Sequence, residues 1–258
     1  MSARAARGFT LVELMISLAL GSLLALVVAQ LFANTRTSNR AAEDASRVQE
    51  SMRFAADVIG RTVRISGYKS DPLADVYATA GRALDGVNGA GALPDELIVR
   101  FQGAGPVTGT ADNTILNCLG VPVAPNFTGT LAGISYNHFR IAPGADGRNA
   151  LFCSTDPAVN PGTELVPGVE AMQILFGEDM PAPNPLDGTA DRYVVAGSVT
   201  QLDNVVAVRV YLMIAGKEGV RVDDSATNYT LAGQAYTFED RILRRVVTQT
   251  IVLRNRAP

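Results

Sequence analysis

One long uncharged stretch constrains the fold of this chain more than any other feature of its sequence. Between Arg7 and Arg36 the only charged residue is Glu13, and residues 14–35 carry no charge. That run of about 22 residues would extend roughly 33 Å as an α-helix, which matches the hydrocarbon thickness of a bilayer. The sequence therefore predicts a membrane-spanning helix close to the N-terminus.

Three kinds of segment fit this pattern. Arg4 and Arg7 before the apolar run would suit a secretory signal peptide that is removed after Ala29. A plain membrane anchor is the second interpretation. The third is a leader that is cut where the apolar run begins, so that the hydrophobic helix stays on the mature protein.

Glu13 favours the third interpretation. A carboxylate in a membrane-spanning helix costs about 2.5–3.5 kcal/mol at the helix centre and less near the interface, and neither a signal peptide nor an anchor gains from it. A cut after Gly8 would give Phe9 a free, positively charged amine one helical turn from Glu13. That amine, on the same or a neighbouring chain, can neutralise the carboxylate in a packed environment of low dielectric.

The residues around this position also resemble a known motif. Residues 7–15, Arg-Gly-Phe-Thr-Leu-Val-Glu-Leu-Met, look like the processing motif of type IV prepilins and type II secretion pseudopilins. The resemblance implies that a membrane aspartyl protease cuts after Gly8 and N-methylates Phe9, and that Glu13 serves assembly. It also implies three sets of partners: this prepilin peptidase, the inner-membrane assembly machinery, and other minor and major pilins contacted through the N-terminal helix.

The chain is expected to divide into four segments. These are a leader (1–8), a spanning and filament-spine helix (9–35), its amphipathic continuation (36–66) and a β-rich globular domain (67–258). Basic residues tend to stay on the cytoplasmic side of a span, so the leader is expected in the cytoplasm and the globular domain in the periplasm. By resemblance, the mature subunit then moves into a surface fibre.

The sequence predicts one long helix followed by strands, an α+β fold of the pilin-like kind with a mainly antiparallel sheet. An apolar residue recurs every four or three positions at Val48, Met52, Ala55, Ile59 and Val63, which predicts a buried helical stripe, with Gly67 as its C′ stop. Short apolar runs predict strands. They lie at residues 97–101, 134–141, 151–153, 172–176, 206–214 and 247–253, and the last two are expected to pair without a tight hairpin.

A second resemblance lies in the C-terminal part. Residues 169–177, 191–193, 205–210 and 243–256 look like the PilW branch of minor pilins. This implies a structural subunit of a type IV pilus that primes assembly or sits near the tip, with no enzymatic activity. Two alternatives stay open: a J-type minor pseudopilin of type II secretion, and a membrane-tethered adhesin or binding module.

Cys118 and Cys153 are too few for a disulfide scaffold and lack metal-ligand spacing. The periplasm permits a bridge between them. Such a bridge would stabilise the fold by roughly 3.5–4 kcal/mol in the chain-entropy model. Two buried free thiols are the alternative.

The remaining polar residues indicate neither a catalytic site nor a metal-binding site. His138 has no nucleophile or second catalytic partner near it in the sequence. The acidic groups at residues 223–228 and 179–191 contain oxygen ligands for calcium, but their spacing matches no EF-hand, and solvated loop charge is the better interpretation. With a net charge of −3 and no basic block, the sequence predicts no nucleic-acid partner. We also expect no cofactor, no bound metal and no small-molecule substrate.

Overall fold

The computed structural model of the chain describes residues 9–70, 82–125, 134–181, 185–221 and 223–255. Within them, one long α-helix precedes eleven β-strands. The predicted α+β class is therefore confirmed, with the helix packed on antiparallel sheets. The expected leader, including Gly8, lies outside the described residues.

The helix, α1 (Leu11–Arg64), has two parts of different character. Its first part is exposed on every side, whereas the predicted stripe of the second part is buried, with Val48, Ala55, Ile59 and Val63 all at most 3% exposed. The predicted stop at Gly67 was wrong by one residue. Ile65 is the C-cap, so Gly67 lies two residues beyond it, with a left-handed φ of 77°.

The first sheet is antiparallel, and its strands lie side by side in the order in which they occur in the chain. They are β1 (Leu84–Val87), β2 (Glu96–Gln102), β3 (Ile134–Pro143), β4 (Asn149–Ser154) and β5 (Thr163–Pro167).

The second sheet has four antiparallel strands in the order β11-β8-β6-β7, so strands distant in sequence are neighbours. The bounds are β6 (Val169–Glu178), β7 (Arg192–Val194), β8 (Val205–Gly219) and β11 (Ile242–Val252). The predicted pairing of the last two strands, β8 and β11, is confirmed. They pair antiparallel over most of their length.

A hairpin lies between β8 and β11, in a segment whose sequence suggests only a long polar connection. Its strands are β9 (Thr227–Leu231) and β10 (Gln234–Phe238). The two residues between them, Ala232 and Gly233, both have left-handed φ angles, of 49° and 87°, as the tightest hairpin turns require. Tyr229, Leu231, Tyr236 and Phe238 of the hairpin pack against the outer face of the second sheet.

One hydrophobic core joins the second half of α1 to both sheets. Phe101 and Phe139 of the first sheet and Met172 and Phe176 of the second are fully buried in it. At about 25 cal/mol per Å² of apolar surface, this core is the main stabilising contribution to the globular domain.

A polar contact fixes α1 to β8 at the end of the core nearest the exposed, apolar part of the helix. The Asp44 carboxylate, 6% exposed, accepts a hydrogen bond of 2.9 Å from the Lys217 backbone N–H. Gly216 lies so close that an added Cβ would meet Asp44 Oδ2 at 1.9 Å. The helix can approach the strand this closely only because residue 216 has no side chain.

A buried carboxylate stabilises the β6–β7 end of the second sheet. Glu178 is inaccessible to solvent and accepts hydrogen bonds from Arg192 Nε at 2.9 Å, the Thr200 N–H at 2.7 Å and the Gln201 N–H at 3.1 Å. Burial alone would raise the pKa of Glu178, but these hydrogen bonds from Gln201, Thr200 and Arg192 together lower it.

The stability of the globular domain is therefore expected to depend on pH through Glu178. Because its folded-state pKa lies below the ordinary value of 4.5, its contribution is complete above about that pH and is lost as the pH falls through the folded-state pKa. Glu178→Gln is expected to cost about 3 kcal/mol at neutral pH and to flatten the acid side of the profile. Urea unfolding at several pH values measures both effects, with the exposed Glu239→Gln as the control; equal profiles for the two variants would contradict the expectation.

Candidate assembly site at the N-terminal helix

The first part of α1 presents an apolar surface with no partner among the described residues. Its most hydrophobic 18-residue window has a mean hydropathy of 2.4 and no burial, and by length and composition α1 is the one described helix able to cross a membrane. Its large exposed side chains include Phe9, Leu11, Val12, Leu14, Met15, Ile16, Leu18, Leu20, Leu23, Leu24, Leu26, Val27, Val28, Leu31 and Phe32.

Glu13 lies in the first turn of this helix and caps it. Thr10 is the N-cap residue, and its Oγ1 accepts a hydrogen bond of 3.2 Å from the Glu13 N–H. In return, the Thr10 N–H and hydroxyl each donate to Glu13 Oε2 at 2.9 Å. This reciprocal arrangement is a capping box, which satisfies two of the unpaired N–H groups at a helix start.

The capping box gives the Glu13 carboxylate partners that were not expected from the sequence. The sequence suggested only a free amine on Phe9 as its partner. In the structure, Thr10 already supplies hydrogen bonds to the carboxylate, with or without a cut. Hydrogen bonds do not cancel a charge, so one carboxylate oxygen and the negative charge are left for a cationic partner. The signal that sequence analysis missed is the Thr-x-x-Glu pattern of residues 10–13.

The hydroxyl groups of the span are also satisfied within the helix. Ser17 donates to the Glu13 carbonyl at 2.7 Å, Ser22 to the Ala19 carbonyl at 2.9 Å and Thr35 to the Leu31 carbonyl at 2.8 Å. An unsatisfied polar group in hydrocarbon costs several kcal/mol. These hydroxyls therefore add little penalty to the insertion of the segment into a membrane.

The two cysteines are joined in the structure. Cys118 and Cys153 form a disulfide, and both are almost fully buried. The bridge connects the segment between β2 and β3 to β4. It is supported by Asn137, whose Oδ1 accepts from the Cys118 N–H at 2.8 Å and whose Nδ2 donates to the Val99 carbonyl at 3.3 Å.

Removing the bridge is expected to destabilise the globular domain. The cysteines are 35 residues apart, so the double variant Cys118→Ser/Cys153→Ser should lose roughly 3.5–4 kcal/mol of unfolding free energy in the chain-entropy model. Urea unfolding of the full chain in detergent measures this loss, and reduction of the unmodified chain should reproduce it. A midpoint that does not change in either experiment would contradict the expected role.

His138 is buried in the first sheet, where polar side chains surround its ring. The residue is 5% exposed, and its ring has Nε2 at 2.6 Å from Glu96 Oε2 and Nδ1 beside the Tyr136 hydroxyl and the Arg140 guanidinium. Burial lowers the pKa of His138, and the positive charge of Arg140 lowers it further, against the opposing effect of Glu96. Around His138, the described residues thus form a polar cluster on the sheet, with no Ser, Thr or Cys side chain hydrogen-bonded to the ring.

The acidic residues weighed as calcium ligands are used within their own loops. Asp179 Oδ2 accepts from the Asp187 and Gly188 N–H groups, at 3.0 and 2.7 Å, and Asp191 accepts from the Met180 N–H at 2.8 Å. Asp223 is paired with Arg221 at 3.2 Å. Across the described part of the chain, no three His, Cys, Asp or Glu side chains converge as metal ligands would.

Two family models match the chain, and they cover different regions. Residues 3–29 match the prokaryotic N-terminal methylation motif, which includes Gly8, Phe9 and Glu13. Residues 138–255, from β3 to the end of β11, match PilW, the type IV pilus-assembly protein W.

Among solved structures, the chain resembles a type IV-like pilin from Thermus thermophilus. The identity is 15%, and the match covers 82% of this chain and 98% of that one with a TM-score of 0.48. No curated protein matches the chain significantly.

A methylation motif at the head of an exposed apolar helix, followed by a β-rich domain, defines a type IV pilin-like protein. Because its globular domain carries the PilW match, the chain is a minor pilin of the PilW family. Membership of this family indicates a structural subunit that is anchored in the membrane and associates with other pilins and the pilus machinery.

Proposed function

We propose that this minor pilin is cut between Gly8 and Phe9, methylated on Phe9 and inserted into the pilus as part of a priming or tip complex. The observation that carries the proposal is the first part of α1, which is apolar, capped and exposed, with one carboxylate at its head. Such a surface is stable in lipid or against other helices of the same kind, because both remove it from water.

The cut supplies the positive charge that the Glu13 carboxylate can use. A free amine on Phe9 lies within one turn of Glu13, on the same chain or on a neighbour in a helical bundle. Pairing the amine with the carboxylate in a dry bundle sets the axial register between subunits, because an unpaired buried charge costs about 3–5 kcal/mol.

The membrane orientation follows from the basic residues of the leader. Arg4 and Arg7 precede the span, so the globular domain faces the periplasm until the subunit is extracted. A disulfide between Cys118 and Cys153 suits that oxidising compartment.

Deletion of the gene tests this function. A priming subunit is expected to be present at low abundance in sheared surface fibres, and its loss should reduce the number of fibres and leave the length of those that remain unchanged. Complementation with the unmodified chain should restore the number. Normal fibres combined with loss of protein secretion would instead identify a type II pseudopilin, and a loss of surface binding alone would identify an adhesin.

A further inference from the structure

The outer edge of β11 (Ile242–Val252) is the longest unpaired strand edge in the described part of the chain. β11 is the terminal strand of the second sheet and pairs with β8 on one side only. Among the described residues, no backbone group is hydrogen-bonded to its other side. The other terminal strands are much shorter, since β7 has three residues, β1 four and β5 five.

The register of β11 shows which backbone groups face outward. The Leu253 N–H donates to the Val206 carbonyl at 2.8 Å, in line with the β11–β8 register. Hydrogen-bonded and non-hydrogen-bonded pairs alternate along an antiparallel ladder. The intervening residues therefore direct their N–H and C=O groups away from β8; they are Val246, Thr248, Thr250 and Val252.

This edge lacks the features that usually prevent strand addition. Protected edges carry charges, prolines or bulges. Residues 246–253 contain no charge and no proline, and six of the eight are Val, Ile or Thr, which have high strand propensity. The one register shift of β11 lies at its other end, between Ile242 and Arg244.

The neighbouring contacts hold the edge in an extended shape. Val247 and Ile251 pack in the core beneath α1. On the opposite face Val246 packs against the β9–β10 hairpin, while Thr248 and Thr250 are exposed. Both faces of the strand are thus fixed near its middle, and its unpaired backbone groups are already aligned for a partner.

We propose that the outer edge of β11 accepts an extended strand from a different pilin subunit, which continues the second sheet across the subunit boundary. This inference rests on the proposed function and names the contact surface. Main-chain hydrogen bonds give affinity in strand addition, and side chains at the strand ends give selectivity. Arg245 and Arg254 are exposed at the two ends of the edge, so the partner strand is expected to have an uncharged centre with acidic flanks.

A second copy of the chain fits this edge less well than a different pilin. Antiparallel pairing of two β11 edges in one continuous sheet needs a two-fold axis perpendicular to that sheet. The axis would reverse the direction of α1, which packs along the sheet face. The two N-terminal helices would then point in opposite directions and could not enter the same membrane or filament spine.

Thr248→Pro tests the proposal at one outward-facing position. Proline removes the Thr248 N–H and obstructs an added strand, yet breaks no β8 hydrogen bond, as is usual for proline on an edge strand. Thr248→Ala is the matched control because it keeps the N–H. The proline variant is expected to copurify with other pilins from detergent-solubilised membranes at about a tenth of the unmodified level or less, and the alanine variant within about twofold. Equal recovery of the two variants would overturn the proposal.

Cross-linking tests the same proposal in a chain without the proline substitution, so its outcome does not depend on whether the proline variant folds. A photoreactive residue at Thr250 in the full chain is expected to form an adduct with a strand of another pilin, which mass spectrometry identifies from the sequence of the cross-linked peptide. The control carries the same group at Thr230, which is exposed on β9. Adducts with a second copy, with a non-pilin protein, or at no more than the Thr230 level would overturn the proposal.

Glu13→Gln in the same assays separates this inference from the proposed function. If Glu13→Gln lowers incorporation into fibres and Thr248→Pro does not lower pilin recovery, the edge inference fails and the proposed function stands. If the unmodified chain is absent from sheared fibres, the proposed function itself fails, whereas a Glu13→Gln variant that incorporates normally refutes only the charge pairing.

Discussion

Glu13→Gln is expected to lower incorporation into pili by at least tenfold while leaving removal of the leader unchanged. Glutamine keeps a side-chain carbonyl that can accept the Thr10 N–H, so the helix cap is retained. The negative charge is lost, and the amine of Phe9 in the packed bundle then has no anionic partner. An uncompensated buried charge costs about 3–5 kcal/mol, whereas about 1.4 kcal/mol already corresponds to tenfold.

Two further variants make this experiment specific for the charge. Glu13→Ala removes the charge and the hydrogen bonds that the Glu13 side chain accepts in the capping box, so it should incorporate no better than Glu13→Gln. Ser17→Ala removes only a hydroxyl that donates to the Glu13 carbonyl and should incorporate normally. If Glu13→Gln incorporates like the unmodified chain and Glu13→Ala does not, the role of Glu13 is to cap the helix, and the charge pairing is wrong. Quantitative immunoblots of sheared fibres and membranes distinguish these outcomes.

Gly8→Val is expected to leave residues 1–8 on the protein and to exclude it from fibres entirely. A β-branched side chain beside the scissile bond obstructs the extended backbone that a protease must bind, and it stiffens that backbone. The retained Arg4 and Arg7 hold the N-terminus in the cytoplasm. The uncut Phe9 has no free amine to pair with Glu13.

Intact-mass measurement of the membrane form checks this prediction. The Gly8→Val protein should be heavier than the mature form by the mass of residues 1–8 and should carry no N-methyl group. Gly8→Ala is the matched control and is expected to be processed. Normal removal of the leader from Gly8→Val would contradict the proposed cut site.

The sequence predicted the elements of this fold better than their arrangement. The uncharged run and the stripe from Val48 to Val63 are local periodic patterns, and the helix follows both. The late strands were likewise visible because Val206, Val208 and Val210 alternate with residues of the opposite face. The order of the strands in the sheets could be predicted only for the β8–β11 pair, because β6 lies on the other side of β8 and no local pattern encodes that second pairing.

The features that sequence analysis missed are short or depend on partners distant in the chain. Both β1 and β5 are brief strands whose pairing with longer neighbours defines them. The β9–β10 hairpin turns at Ala232-Gly233, a weaker turn signal than the usual Asn-Gly. Asp44 has no visible role in the sequence until Gly216 and Lys217 are placed beside it.

In the candidate assembly site too, features set by neighbouring residues could be predicted, and features that depend on distant parts of the chain could not. The positions of Phe9 and Glu13 at the head of an apolar helix follow from the sequence alone. The capping box is also a local pattern, Thr-x-x-Glu at residues 10–13, but the charge of the Glu13 carboxylate does not by itself indicate these hydrogen bonds. The free edge of β11 could not be foreseen, because a strand is at an edge only relative to the whole sheet.

Mass spectrometry of the N-terminal peptide from the native, membrane-extracted protein is the decisive test of cleavage after Gly8. We expect a peptide that begins at Phe9 and is heavier by one methyl group on its α-nitrogen. A native N-terminus at Met1 or at Gln30 would contradict it, because in the first case the leader stays attached and in the second the apolar helix has been removed as a signal peptide.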